Sequence, residues 1–263
     1  MMNHVVSVIN QKGGVGKTTS TINLSCAFAN SGQKTLIIDL DPQGNASTGV
    51  GVENNQRENS VYKLLTERNN WQHYVKQTKI ENLDIICANV ELSGFETEVA
   101  ENKDRAFILK GVLEEIRLKN QYNQILIDCP PSLSLLTVMA LVASNSVIVP
   151  LQAEFFALEG LTQLLKTIAR IKTSLNKNLE VEGIILTMFD KRNKLCLQVE
   201  SESRKYFGDQ VYKTVIPRNV RISEAPSHGV PVIVYDKHCA GSVAYEKLAL
   251  EILEKQKELN FAA

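Results

Sequence analysis

Residues Val5–Asn10 form a hydrophobic run of strand length, the segment from Lys17 onward has helical period, and between them stands Gln11-Lys12-Gly13-Gly14-Val15-Gly16-Lys17-Thr18-Thr19. A strand, a glycine loop and a helix in that order leave few architectures open. Glycines lack a Cβ, so the backbone can curl until successive N–H groups point inward, beneath the positive end of the helix dipole. That cradle suits a phosphate. In it Lys17 supplies a cation to the β/γ-phosphates, the Thr18 hydroxyl is positioned for a magnesium ion, and Thr19 can donate to the α-phosphate.

The rest of the chain repeats the alternation that opens it. Hydrophobic runs at Val5–Asn10, Thr35–Asp39, Leu83–Cys87, Gln124–Asp128, Ser146–Pro150, Val181–Met188 and Gln210–Ile216 are strand candidates. Segments Lys17–Ser31, Asp104–Lys119, Ser134–Ser144, Glu154–Asn176, Leu195–Phe207 and Ser242–Leu259 have helical period. This pattern predicts an α/β fold with a doubly wound, mostly parallel sheet covered by helices on both faces. Ligands of such folds bind at the carboxyl ends of the strands. No linker or low-complexity tract divides residues 1–263, which reads as one domain; the polar, aperiodic stretch Gly51–Ser60 is expected to be a surface loop.

Composition removes several classes of function. Hydrophobic residues make up 44% and charged residues 22%, the balance of an ordinary globular chain. Twenty-nine basic and 29 acidic side chains cancel, so no global field draws the protein to a polyanion. A leader or a membrane span is not expected, which points to the cytoplasm. The five cysteines are scattered without a CxxC pair, which argues against a disulfide framework or a zinc site.

Two further segments carry chemistry. Leu36-Ile37-Ile38-Asp39-Leu40-Asp41 ends a strand with carboxylates at alternate positions, on one face at the ligand edge. Like charges held together there need a reason, and a magnesium ion with an attacking water provides one; the alternative is a pair of strand-end carboxylates capping a turn. Ile125-Leu126-Ile127-Asp128-Cys129-Pro130-Pro131 closes another apolar strand on an aspartate, the arrangement in which Asp128 holds magnesium through water. Cys129 reads as packing. His228, in a Ser-His-Gly turn, reads as a structural loop residue.

The phosphate loop departs from the common P-loop form, since Gln11 stands at the first glycine position and a second lysine, Lys12, opens the glycine run. It resembles the deviant Walker A motif, K-G-G-x-G-K-[ST]-T, of the P-loop NTPase family that includes the ParA/Soj partitioning ATPases, the division-site protein MinD and the nitrogenase iron protein. The segments at Asp39–Asp41, Asp128–Pro131, Phe155–Gly160, Leu186–Asp190, Val215–Asn219 and Ser223–Gly229 resemble the partitioning ATPases in particular. The resemblance implies ATP and Mg2+ as ligands, with Lys12, Gly13, Gly14, Val15, Gly16, Lys17, Thr18 and Thr19 around the phosphates. It implies that Lys12 reaches the partner's phosphates in a nucleotide-sandwich homodimer, that Asp41 orients the hydrolytic water, that Asp39 sits near magnesium and that Pro217 and Asn219 contact adenine. It also implies non-specific binding of double-stranded DNA through Arg192 and Arg221, with Lys194, Lys237 and Lys247 as candidates by proximity. A centromere-binding ParB-type partner that stimulates hydrolysis, and a place on the nucleoid, complete what the resemblance implies.

Residues 188–221 hold eight basic residues against four acidic ones, a net of +4 within a neutral chain, and such a patch gains strength when a dimer doubles it. The alternative is a positioning or regulatory ATPase of the MinD type, acting through protein or membrane contacts without DNA. Membrane contact is disfavoured, because the C-terminal segment EKLALEILEKQKELNF carries four glutamates against three lysines where an interfacial helix needs a basic face. An iron–sulfur protein is disfavoured because Cys87 and Cys129 lack the glycine-rich contexts of a shared cluster.

Overall fold

The computed structural model describes residues 3–67, 70–154 and 156–262, with the backbone alone for 259–262. Seven strands, β1 His4–Val8, β2 Thr35–Asp39, β3 Val75–Gln77, β4 Leu83–Ile86, β5 Gln124–Asp128, β6 Ser146–Gln152 and β7 Glu180–Thr187, form one sheet in the order β3-β4-β2-β5-β1-β6-β7. Every pairing is parallel except that of β3 with β4. The doubly wound, mostly parallel sheet is therefore the architecture of the chain.

The helices are α1 Lys17–Asn30, α2 Asn45–Gly49, α3 Val61–Glu67, α4 Phe95–Glu98, α5 Ile108–Leu118, α6 Leu135–Ala143, α7 Ala157–Ser174, α8 Lys194–Phe207, α9 Val220–Glu224, α10 Val232–Tyr235 and α11 Ala240–Ala262. Because successive strand residues point to opposite faces, each strand feeds two cores. Val5, Ile38, Ile127 and Val149 pack with α5, α6 and α7 through Leu113, Met139 and Leu164. Val6, Ile37, Leu126 and Ile148 pack with α1, α10 and α11 through Phe28, Val232 and Leu248. The C-terminal helix lies on the sheet, with Tyr245, Leu248 and Ile252 buried and the Tyr245 hydroxyl 3.2 Å from Ser20 Oγ of α1. Among the described residues no helix is long and apolar enough to cross a membrane.

Two expectations change. The run Gln210–Ile216 is no strand but a segment that touches the edge of β7 at isolated bridges, Ile184 with Val211 and Phe189 with Pro217. Tyr212 and Ile216 donate backbone N–H bonds to Ile184 and Leu186, yet the intervening N–H groups of Lys213 and Thr214 turn away to the Glu251 carboxylate of α11, at 2.6 and 3.0 Å. A side chain has taken the donors that an eighth strand would need. Glu251→Ala is expected to lower stability by about 1.5–3 kcal/mol, the worth of hydrogen bonds to a charged group, and Glu251→Gln by less. Urea unfolding checks this, and an unchanged midpoint for the alanine variant would sink it.

The stretch Gly51–Ser60 is also more than a surface loop, since Val52, Arg57 and Ser60 are buried. At its start, Gly51 has φ +87 and meets Gly229, φ +64, so closely that a Cβ on Gly51 would stand 2.9 Å from the Gly229 carbonyl oxygen. The loop behind α2 thus touches the Ser-His-Gly turn backbone to backbone. His228 in that turn stacks on Tyr235 at 4.9 Å, the structural role its setting suggested.

Candidate active site

The glycine loop curls because two of its residues occupy the left-handed region, Gly14 at φ +74 and Gly16 at φ +91, where a side chain would be strained. Asn10 braces its entry by donating to the Pro150 carbonyl at 2.7 Å and accepting from the Lys12 N–H at 3.0 Å. Thr187, at the end of β7, donates to the Val15 carbonyl at 2.8 Å and so ties the loop to the far strand of the sheet. Lys17 is buried at the first position of α1, and its ammonium donates to the Lys12 carbonyl at 3.0 Å. Burial lowers its pKa, opposed by the nearby Asp128, Cys129 and Asp41. Lys12 points the other way, half exposed, in an ion pair with Glu154 of its own chain.

Parallel pairing of β2 with β5 sets Asp39 and Asp128 in register at the carboxyl edge, both fully buried. Burial pushes Asp39 up to about 6, against hydrogen bonds from Ser47 and the Asp41 N–H. Asp128 rises well above the usual carboxylate range, through burial first and the Asp39 charge second, against the hydroxyls of Thr18 and Thr21. The two side chains differ in what they have left to offer. Asp39 accepts from the Ser47 N–H at 2.8 Å, the Ser47 hydroxyl at 2.7 Å and the Asp41 N–H at 3.3 Å, so the turn consumes both its oxygens. Asp128 Oδ1 accepts from Thr21 at 3.2 Å, whereas Oδ2 is buried with no partner among the described residues. Adjacent buried carboxylates with an orphaned oxygen, beside Lys17 and the Thr18 hydroxyl, form a donor set of hard oxygens that fits a magnesium ion.

Asp41 is nearly buried and accepts the Gln43 N–H at 3.0 Å, shaping the turn that leads into α2. Cys129 is wholly buried behind Asp128, in keeping with packing. On the opposite flank, Met188 takes a positive φ of 51, unusual for a residue with a side chain, and the bend brings Phe189 alongside Pro217. Asn219 caps α9, its side-chain oxygen accepting the Arg221 N–H at 2.9 Å. Phe189, Val215, Pro217 and Arg218 line a cleft with Lys191 and Arg192 at its rim.

The candidate DNA residues lie at the surface. Arg192 is almost fully exposed and makes a forked pair with Asp190, whose carboxyl it holds down to about 2. Arg221 pairs with Glu224 at 2.9 Å and Asp236 at 3.5 Å, next to exposed Lys237. Lys194 opens α8 and Lys247 stands on the outer face of α11, both exposed. Phe155 lies outside the described residues.

Sequence reasoning passed over Ser47 and Arg57. Ser47 clamps Asp39 from eight residues downstream, and its hydroxyl also accepts the Ala88 N–H at 3.2 Å. Nothing in the local pattern marks either residue, because both act through tertiary contacts.

Residues 3–181 match a protein family described as AAA domain. Over 254 residues the chain is 51% identical to the chromosome partitioning protein ParA of Caulobacter vibrioides, spanning 97% of this chain and 95% of that one. It is 49% identical to the chromosome-partitioning ATPase Soj of Treponema pallidum, over 97% of this chain and 98% of the other. Among solved structures, a cobyrinic acid a,c-diamide synthase from Mycobacterium smegmatis with bound ADP and magnesium superposes with a TM-score of 0.84 at 30% identity, covering 97% of this chain and 96% of that one. With half its residues shared along nearly the whole of these partitioning proteins, the chain belongs to the ParA/Soj family of chromosome-partitioning ATPases.

Proposed function

We propose that the chain hydrolyses ATP with magnesium, that ATP joins two copies face to face, and that this dimer binds DNA without reading sequence until hydrolysis releases it. The observation that carries the reading is the buried pair Asp39 and Asp128 in register beside Lys17, with one Asp128 oxygen unpaired among the described residues. The related solved structure with bound ADP and magnesium supports the same ligands here. Lys17 and the loop N–H groups hold the phosphates, while Thr18 and Asp128 hold the metal, with Asp39 fixing the turn behind them. The ion supplies charge neutralisation at the phosphates when bound. Asp41 accepts a hydrogen bond from the attacking water and orients it. Pro217 and Asn219 border the adenine.

In this reading Arg192 and Arg221, helped by Lys194, Lys237 and Lys247, meet phosphates of the duplex, and a ParB-type centromere-binding protein stimulates turnover. The test is ATP turnover with random-sequence DNA and the partner, separately and together, alongside sizing of Asp41→Ala. Strong stimulation by the two together is expected. Asp41→Ala is expected to keep ATP binding, lose hydrolysis and persist as a dimer; a monomer in ATP would refute its role.

Reversing Arg192 or Arg221 to glutamate is expected to abolish DNA binding while ATP-dependent dimers survive. Each reversal acts twice per dimer, and each phosphate contact contributes about −0.9 to the log–log salt slope. Gel shifts across a salt series check this, and an unchanged slope would move the DNA surface elsewhere.

A further inference from the structure

We infer that Arg57 is a positioning residue for hydrolysis, a rigid brace that fixes the Asp41 turn; the inference rests on the reading of Asp41 as the water-orienting carboxylate. Arg57 is 3% exposed, although it lies in the polar stretch after Gly51. Its Nε donates to the Val52 carbonyl at 3.1 Å and Nη1 to the Gly44 carbonyl at 3.0 Å. Nη2 donates to Thr48 Oγ1 at 2.7 Å and again to Val52 at 2.5 Å. Every one of these acceptors is neutral. A guanidinium is costly to bury against neutral oxygens alone, so its donors must be fully used.

What it grips is the hydrolytic turn. Gly44 closes that turn by donating its N–H to the Asp41 carbonyl at 2.8 Å, and Arg57 donates to the carbonyl of the same glycine. Gly44 has φ +63, and a Cβ there would stand 2.3 Å from Arg57 Nη1, so the guanidinium fills the room a side chain would take. From within, Asp39 holds the turn through Ser47 and the Asp41 N–H. The turn from Asp41 to Gly44 is thereby held by a carboxylate at one end and a guanidinium at the other. The planar fork reaches three residues at once, which the single ammonium of a lysine cannot do.

The test compares wild type, Arg57→Lys, Arg57→Gln, Thr48→Val and Asp41→Ala in steady-state ATP turnover, affinity for a fluorescent ATP analogue, and thermal melting. Misplacing a reacting group by an ångström costs about 10²-fold, so kcat is expected to fall between about 10- and 100-fold in both Arg57 variants, with KM and analogue affinity within about twofold. Thr48→Val, at an exposed position, removes one anchor of the fork together with the Thr48 hydroxyl's own bond to the Gly44 carbonyl at 3.2 Å, and is expected to lower kcat severalfold with KM unchanged. Wild-type kcat in a folded Arg57 variant, or in Thr48→Val, overturns the inference, as does a kcat that falls only in step with nucleotide affinity and melting temperature. If Asp41→Ala turns over normally, the reading of Asp41 fails and takes the inference with it. If Asp41→Ala is inactive while the Arg57 variants are normal, the role of Arg57 alone is refuted.

Discussion

Lys17→Ala is expected to abolish ATP turnover while leaving the protein folded. The lysine is buried at the start of α1 among Asp128, Cys129 and Asp41, and burial makes its charge expensive to hold without an anionic partner. Phosphates supply that partner, and the other lysine of the loop, Lys12, faces Glu154 instead. Losing a fixed charge that stabilises a transition state costs about 10²–10³-fold in kcat, and here ground-state binding of the phosphates is lost with it. The variant also removes the cation nearest Asp128 and Asp41, so a modest change in melting temperature should accompany the kinetic loss. Turnover at the wild-type rate would refute the phosphate-loop assignment.

Lys12→Ala is expected to separate two properties that Lys17→Ala destroys together. If Lys12 serves the partner's phosphates, the monomer should bind ATP normally while the dimer fails to form, and DNA binding should fall with Arg192 and Arg221 untouched. The ion pair with Glu154 is no obstacle to such a transfer. Both side chains are partly exposed, and exposed pairs contribute at most about 1 kcal/mol, less than a phosphate would offer. Nucleotide affinity of dilute monomer, sizing in ATP and gel shifts make the measurement. A Lys12→Ala protein that dimerises and holds DNA would reduce Lys12 to a surface residue paired with Glu154.

Much of this was legible in the sequence because the signals were local. Glycines at 14 and 16 demand left-handed backbone, and Asp39 and Asp128 each end an apolar run, so both the loop and the carboxylate edge follow from short stretches. The difference between the two aspartates was not legible. Which of them keeps a free oxygen depends on Ser47, which reaches Asp39 only after the chain has turned through α2. The missing eighth strand has the same origin, for the sequence at 210–216 has strand character and its donors are diverted by a glutamate 37 residues away. Arg57 shows the converse case: a charged residue in a polar run looks solvated until three acceptors converge on it.

The abutment of Gly51 and Gly229 links two parts of the surface that would otherwise be read separately. One glycine follows the helix that Asp39 and Arg57 anchor, and the other ends the turn that follows α9, the helix bearing Arg221. An outward shift of α2 would press on that second turn, because backbone meets backbone with no compressible side chain between them. The smallest residues thus give the closest seat between the two segments. A bulkier residue at either position would force the two segments apart and strain a left-handed backbone as well.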